Sequence, residues 1–273
     1  MKDIEYESGV RMPISDWLEL NEKLVFDQPN LMRYVAPFPP PDLMQVVSGL
    51  TSESSFALHG TTIYRAMQGA SPKPLTDFRS ILDFGCGCGR LARMFKGHPG
   101  KIAGCDIDKR LVDWINGNLP YVRATKTQPN RPLPFERGEF DAVISVSVFT
   151  HLNEESQHLY LSELARVTDN GAYLFLTVHG KRALARALEE ERIFQMLEIS
   201  IEGLDAAVAG MDRGFHNFIL QETGHLTTSE YQYGITFIPS AYVKRVWGEY
   251  FEITDIVNGA IHDFQDIIVC RKR

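Results

Sequence analysis

Residues 81–90 read Ile-Leu-Asp-Phe-Gly-Cys-Gly-Cys-Gly-Arg. A mostly apolar run enters from Ser80, glycines alternate at Gly85, Gly87 and Gly89, and a helix-compatible segment, Leu91-Ala92-Arg93-Met94-Phe95, follows. This pattern is a strand, a tight glycine turn and a helix start. Glycine is needed where the backbone takes positive φ or lets a ligand come close. A helix start adds free N–H groups. The stretch therefore predicts a cofactor cradle, with a helix from about Arg90 to Lys96.

Working outward toward the C-terminus, strand and helix patterns alternate from Arg79, which predicts an α/β fold with a parallel sheet. Strands are expected at Ser80–Phe84, Ile102–Cys105, Tyr121–Ala124, Asp141–Val148, Ala172–Val178, Glu252–Val257 and Gln265–Cys270. Helices are expected at about Lys109–Gly117, Asn153–Val167, 181–199 and Ser240–Phe251, with turns at Asn170-Gly171 and Asn258-Gly259-Ala260. Residues 203–234, rich in glycine, polar and aromatic residues, read as an insertion or active-site loop.

Toward the N-terminus the character changes. Ser15 to Phe26 has the spacing of an amphipathic helix, with Ser15 or Asp16 as its cap. Pro37-Phe38-Pro39-Pro40-Pro41 is a stiff extended connector, because proline fixes φ and lacks a donor. Short and long helices are expected from Pro41 and over Ser52–Met67, the second weakened by Gly60. The breaker run Gly69–Pro74 ends this region. The organisation expected is a helical N-terminal extension over 1–75, either packing on the main domain or serving as a lid, followed by a cofactor-binding domain over 76–273.

Composition bounds the function. The chain has 273 residues, 44% apolar and 23% charged, with a formal charge of −7. That balance argues against a broad nucleic-acid surface. No apolar run reaches the roughly 20 residues of a membrane helix, and the N-terminus lacks a signal-peptide core, so a cytoplasmic protein is expected. Cys86, Cys88, Cys105 and Cys270 show no metal-ligand or disulfide spacing. They read as small packing residues.

In open α/β sheets ligands bind beyond the carboxyl ends of the strands. Gly85–Gly89, Asp106, Gln128–Asn130, Ser147–His151 and His179 all fall there. Asp106, at the end of the second strand, can accept hydrogen bonds from ribose hydroxyls, with Asp108 the alternative. A dinucleotide fingerprint needs a third glycine or alanine where Arg90 stands, and the triphosphate pattern is absent. His151 and His179 are the best-placed candidates for a general base, with His216 and His225 behind them. Arg90 is read as pairing with a carboxylate of cofactor or substrate, or facing solvent. Phe149, Phe215, Phe218, Tyr231 and Tyr233 could line an acceptor pocket.

The run Ile81–Arg90, then Asp106, Leu133-Pro134-Phe135 and Phe140-Asp141-Ala142-Val143 resembles the class I S-adenosylmethionine-dependent methyltransferases over about residues 76–180. Ser147–Leu152, Thr177-Val178-His179-Gly180 and Gln265-Asp266 resemble, more narrowly, a bacterial subgroup linked with surface glycans. The resemblance implies a Rossmann-like seven-stranded sheet of order 3-2-1-4-5-7-6 with strand 7 antiparallel. It implies S-adenosyl-L-methionine as cofactor, contacted by Asp83, Phe84, Gly85, Cys86, Gly87, Gly89 and Arg90. Asp106 would bind the ribose and Ile107 pack on adenine. Gln128 or Asn130 would meet the adenine amino group, and Ser147 would face the methionine amine. The activity implied is methyl transfer, with oxygen of a small molecule or glycan as acceptor. A non-catalytic cofactor-binding module and a nicotinamide-dependent oxidoreductase are the competing readings.

Overall fold

The computed structural model describes residues 6–221 and 232–273. His225 and Tyr231 lie outside the described residues. The chain divides into two compact units, Met1–Thr127 and Gln128–Arg273. Strands are β1 Ser80–Phe84, β2 Lys101–Asp106, β3 Val122–Lys126, β4 Phe140–Ser145, β5 Thr168–Val178, β6 Asn217–Leu220, β7 Gly234–Phe237, β8 Glu252–Ile261 and β9 Gln265–Arg271. A seven-stranded sheet has the order β3-β2-β1-β4-β5-β9-β8, and β6-β7 form a separate pair. With β9 as seventh strand and β8 as sixth, this is the expected order. β9 runs antiparallel to both β5 and β8.

In the first unit, β1, β2 and β3 pair in parallel, with Asp83 opposite Gly104 and Asp106 opposite Lys126. The N-terminal amphipathic pattern forms one helical run, Ile14–Glu19 continuing through a wider turn at Leu20–Leu24 into Val25–Asp27. It starts after Pro13 without a side-chain cap, so neither Ser15 nor Asp16 caps it. Trp17 is fully buried and its indole N–H donates to the Met94 carbonyl at 2.8 Å. The helix Pro41–Ser48 follows the proline run, and Glu53–Ala70 starts on the Ser52 cap. Gly60 in that helix is a packing requirement, since a Cβ there would stand 2.8 Å from the Arg90 carbonyl oxygen.

The helix expected over Arg90–Lys96 is only a short 3-10 turn, Ala92–Phe95. Its carbonyls are claimed from elsewhere: Arg93 by the Tyr121 hydroxyl, Met94 by Trp17 and Lys96 by the Val10 N–H. With those acceptors taken and Gly97 in the left-handed region, the ladder of an α-helix does not continue.

In the second unit, β4 pairs in parallel with β5. The helix Glu154–Val167 begins on Asn153, whose side chain accepts from the Ser156 N–H. β4 stops at Ser145, short of Val148, because Ser147 takes φ 59°. β5 starts earlier than expected, and Gly171 at φ 79° makes an irregularity within it rather than a turn before it. The 181–199 pattern splits into Lys181–Glu189 and Glu191–Leu197 at an extended Glu190. The expected loop at 203 onward opens instead with a helix, Ile201–Arg213, and then β6. Its glycines seat it on β6: a Cβ at Gly203 would meet Ile219, and one at Gly210 the Asn217 side chain. The final helix is Ser240–Val246, tightened to a 3-10 turn at Trp247–Glu249. The last hairpin turns at His262-Asp263, both at positive φ, and not at Asn258-Gly259, which sit within β8.

Candidate active site

In the first unit the glycine turn hangs on the end of β2. The Gly85 and Cys86 N–H groups both donate to the Cys105 carbonyl, at 2.9 and 3.0 Å. The Gly87 N–H donates to Asp106 Oδ2 at 2.9 Å, and the Asp108 N–H to Asp106 Oδ1 at 3.0 Å. One backbone donor thus holds each oxygen of Asp106, which fixes the carboxylate in orientation. A carboxylate has about four acceptor sites, so it keeps capacity for ribose hydroxyls. Asp108 is committed differently: it caps the helix Lys109–Asn118 and is paired with Arg110. Ile107, half-buried, stands between the two.

Gly85, Gly87 and Gly89 all have positive φ, at 79°, 53° and 84°. At two of them the side-chain space is filled by protein, not left for a ligand. A Cβ on Gly87 would stand 2.8 Å from Val47 Cγ1, and one on Gly89 2.9 Å from Leu119 Cδ1. Cys86 is packed against β2 opposite Gly104. Cys86 and Cys88 are buried free thiols with raised pKa, Cys88 to about 12, driven by burial.

Asp83, near the end of β1 and beside the buried Phe84, is 4% exposed, and its Oδ2 has no hydrogen-bond partner. Burial pushes its pKa to about 7; Arg90 works against that shift and Asp106 adds to it. Burial likewise raises the pKa of Asp106, opposed by its backbone donors. Arg90 does not face solvent. It is buried, with its guanidinium 3.0 Å from His59 Nδ1.

In the second unit, polar side chains gather where β4, β5 and β9 meet. The Ser147 N–H donates to the Thr177 hydroxyl at 2.8 Å, and Gln265 Nε2 donates to Ser147 Oγ at 2.8 Å. Val178 pairs with Asp266, whose carboxylate packs directly on Gly180. His151 Nδ1 lies 2.8 Å from the Gly234 carbonyl, and its ring stacks on Tyr233 at 4.5 Å and 16°. A carbonyl only accepts, so Nδ1 carries the proton and Nε2 is the basic nitrogen. Burial pulls the His151 pKa down to about 4.

His179 sits edge-on to His151 at 6.4 Å, wedged between Phe237 and Phe264. Its Nδ1 is buried without a partner and burial lowers its pKa to about 3. His216 packs away on Tyr242. Of the aromatic set, Phe149 is core against Trp247, Phe215 is exposed and Tyr233 is the His151 partner. Asn130 takes φ 54°, accepts from Ser156 Oγ and donates its N–H to Tyr160; it and Gln128 are both exposed. Sequence reasoning missed Tyr233's stacking role and the Gly234 carbonyl; they lie just before and at the start of β7, distant in the chain and without a motif.

Residues 81–171 match the methyltransferase domain family. The matched methyltransferase domain begins in β1 and ends in β5. Solved structures share the fold. A protein from Pyrococcus horikoshii aligns at TM-score 0.57 with 14% identity, over 81% of this chain and 92% of its own. A putative S-adenosylmethionine-dependent methyltransferase from Listeria monocytogenes aligns at 0.51 with 12% identity, over 78% and 98%. Human N-acetylserotonin methyltransferase in complex with S-adenosylmethionine aligns at 0.50 with 16% identity, over 95% of this chain and 65% of its own.

Proposed function

We propose that this chain is an S-adenosylmethionine-dependent methyltransferase acting on an oxygen of a small molecule or glycan. The observation that carries the cofactor reading is Asp106, held by the Gly87 and Asp108 N–H groups beside the glycine turn of a methyltransferase domain. The charge of the first unit suits that cofactor. Asp83 is buried and Asp106 half-buried, and the cation acting on Asp83 is Arg90. A sulfonium and an ammonium supply positive charge that a buried carboxylate otherwise lacks.

When bound, the cofactor supplies an already activated methyl group, so the protein's part is alignment and proton removal. Asp106 would accept from the ribose hydroxyls and Ile107 would pack on adenine. The turn Gly85–Gly89 and Asp83 would flank the methionine part, and Arg90 offsets the Asp83 carboxyl. Gln128 is favoured over Asn130 for the adenine amino group, because Asn130 Oδ1 is already engaged by Ser156, and Ser147 would face the methionine amine. His151 receives the acceptor proton on Nε2, its tautomer fixed by Gly234; His179 supports its edge. The narrower glycan-linked reading rests on the sequence resemblance of Ser147–Leu152, Thr177–Gly180 and Gln265-Asp266.

Calorimetric titration with S-adenosylhomocysteine tests the cofactor. The wild type binds and Asp106→Ala weakens binding; absence of any heat from either cofactor form refutes the reading. Transfer of labelled methyl to a panel of hydroxylated acceptors then separates an enzyme from a binding module.

A further inference from the structure

We propose that Arg93 is a positioning residue of the cofactor turn, clamping the proline strap 36–41 so that the helix Pro41–Ser48 presses Val47 onto Gly87. The proposal rests on the cofactor reading above.

Arg93 is fully buried, and no carboxylate forms an ion pair with it among the described residues. Its Nε donates to the Pro37 carbonyl at 2.8 Å and Nη2 to the Ala36 carbonyl at 2.7 Å. Its guanidinium carbon lies 3.6 Å from the centroid of the Phe38 ring. The remaining Nη1 has no partner. Burying a cation against two carbonyls and a ring is costly, and apolar side chains could hold a strap with less penalty. What the guanidinium adds is direction: a planar fork meeting two successive carbonyls while its face rests on the next side chain. The strap needs such a partner, since its prolines offer no N–H for sheet pairing while its carbonyls still require donors.

The strap leads straight into the turn. Pro41 opens the helix Pro41–Ser48 in a conformation preset for it. The Cys88 thiol donates to the Leu43 carbonyl at 3.6 Å. One turn further, both Val47 methyls would lie within 2.9 Å of a Cβ on Gly87. Gly87 in turn gives its N–H to Asp106. The route is therefore contiguous: guanidinium, strap, Val47, Gly87, ribose-binding carboxylate. Other tethers of the same N-terminal segment, Trp17 to Met94 and Lys96 to the Tyr34 carbonyl, do not pass through Arg93. Losing the clamp should thus loosen the turn without releasing the whole segment.

The experiment is calorimetric titration of S-adenosylhomocysteine into the full chain as wild type, Arg93→Lys, Arg93→Met, Arg93→Ala and Val47→Ala. Arg93→Met is expected to weaken binding by about tenfold or more. Arg93→Lys falls between, because an ammonium meets one carbonyl and has no planar face. Val47→Ala weakens binding with Arg93 intact. Millimolar guanidinium restores affinity to Arg93→Ala and leaves the wild type unchanged, a recovery that general destabilisation would not show. Folded Arg93 variants that bind like the wild type, or no recovery by guanidinium, overturn the proposal. If the Arg93 variants fail to fold, Val47→Ala decides, and unweakened binding there overturns it. A wild type that binds no S-adenosylhomocysteine overturns the cofactor reading itself, a distinct outcome.

Discussion

The helix Glu53–Ala70 contains two glycines that should respond to the same substitution with opposite signs. Glycine in a helix interior is less favourable than alanine by ~1 kcal/mol. At Gly69 nothing lies within 4 Å of a would-be Cβ, so Gly69→Ala near the helix end should stabilise by ~0.5 kcal/mol. At Gly60 the Cβ would stand 2.8 Å from the Arg90 carbonyl oxygen and 3.8 Å from the Met94 methyl. The methyl can swing aside; the oxygen is backbone and is held in the segment that follows the glycine turn. Forcing an extra methyl against fixed backbone takes the upper part of the usual overpacking range, ~2–3 kcal/mol, which outweighs the propensity gain of ~1 kcal/mol and leaves Gly60→Ala destabilised by ~1–2 kcal/mol. For chains of this size each 1 kcal/mol moves Tm by about 2–4 °C. Scanning calorimetry should therefore show Gly69→Ala rising by about 1–2 °C and Gly60→Ala falling by about 2–8 °C. The double variant should show the sum, because the two sites share no contact. A Gly60→Ala protein as stable as Gly69→Ala would refute the packing of this helix on Arg90. Gly60→Ala should also weaken S-adenosylhomocysteine binding, whereas Gly69→Ala should not.

Further outcomes concern the titratable groups. Asp106→Asn keeps the acceptor oxygen for Gly87 but loses the charge, and should bind S-adenosylhomocysteine more weakly than the wild type and more tightly than Asp106→Ala, by titration calorimetry. Asp83, held near pH 7 by burial, carries a proton in the folded state that the unfolded chain sheds near its ordinary pKa of 3.8. Its contribution to stability is full below that value and is lost as pH rises through about 7; urea midpoints across this window should show a fall that Asp83→Asn removes. His151→Ala should lower turnover of a hydroxyl acceptor by about 10²–10⁴-fold while leaving the cofactor Kd unchanged. Because His151 stays neutral down to about pH 4, the rate should hold through the ordinary histidine range. A fall centred near the unperturbed pKa of about 6.5 would assign the base elsewhere.

Much of the fold was legible because its strands are short apolar runs punctuated by turn residues. β1 matches its expected bounds at both ends, and the helices expected from Ser52, from about Lys109 and from Asn153 start there, on caps supplied by Ser52, Asp108 and Asn153. The failures share a cause: distant parts of the chain override local preference. Leu91–Lys96 has helical composition, yet Trp17, Tyr121 and Val10 take its carbonyls. Gly203 and Gly210 read locally as loop residues, yet they let a helix press on β6. Asn258-Gly259 has turn chemistry, but the register of β8 against β9 carries the strand past it to His262-Asp263. At the candidate site, the acidic and glycine positions were visible from spacing. The tautomer of His151 was not, since it depends on a carbonyl of β7.

The lost helix also bears on which cofactor the turn serves. A phosphate cradle depends on free N–H groups at a helix start and on the helix dipole behind them. Here no α-helix follows the turn, and its N–H groups are largely spent: Gly85 and Cys86 on the Cys105 carbonyl, Gly87 on Asp106, Gly89 on the Cys86 carbonyl. The Gly87 N–H that could have met a pyrophosphate orients a carboxylate instead. Asp83 stands buried beside it with an unmatched oxygen. The arrangement is thus short of positive charge, not of negative charge. A pyrophosphate placed there would add anionic charge next to the buried Asp83 and the half-buried Asp106, whereas a sulfonium would offset theirs. The nicotinamide reading, weakened in the sequence by Arg90, is opposed here by electrostatics. A competition titration makes the argument testable: S-adenosylhomocysteine should displace a fluorescent adenosyl ligand, and a nicotinamide dinucleotide should not. Displacement by the dinucleotide at comparable concentration would reverse the assignment.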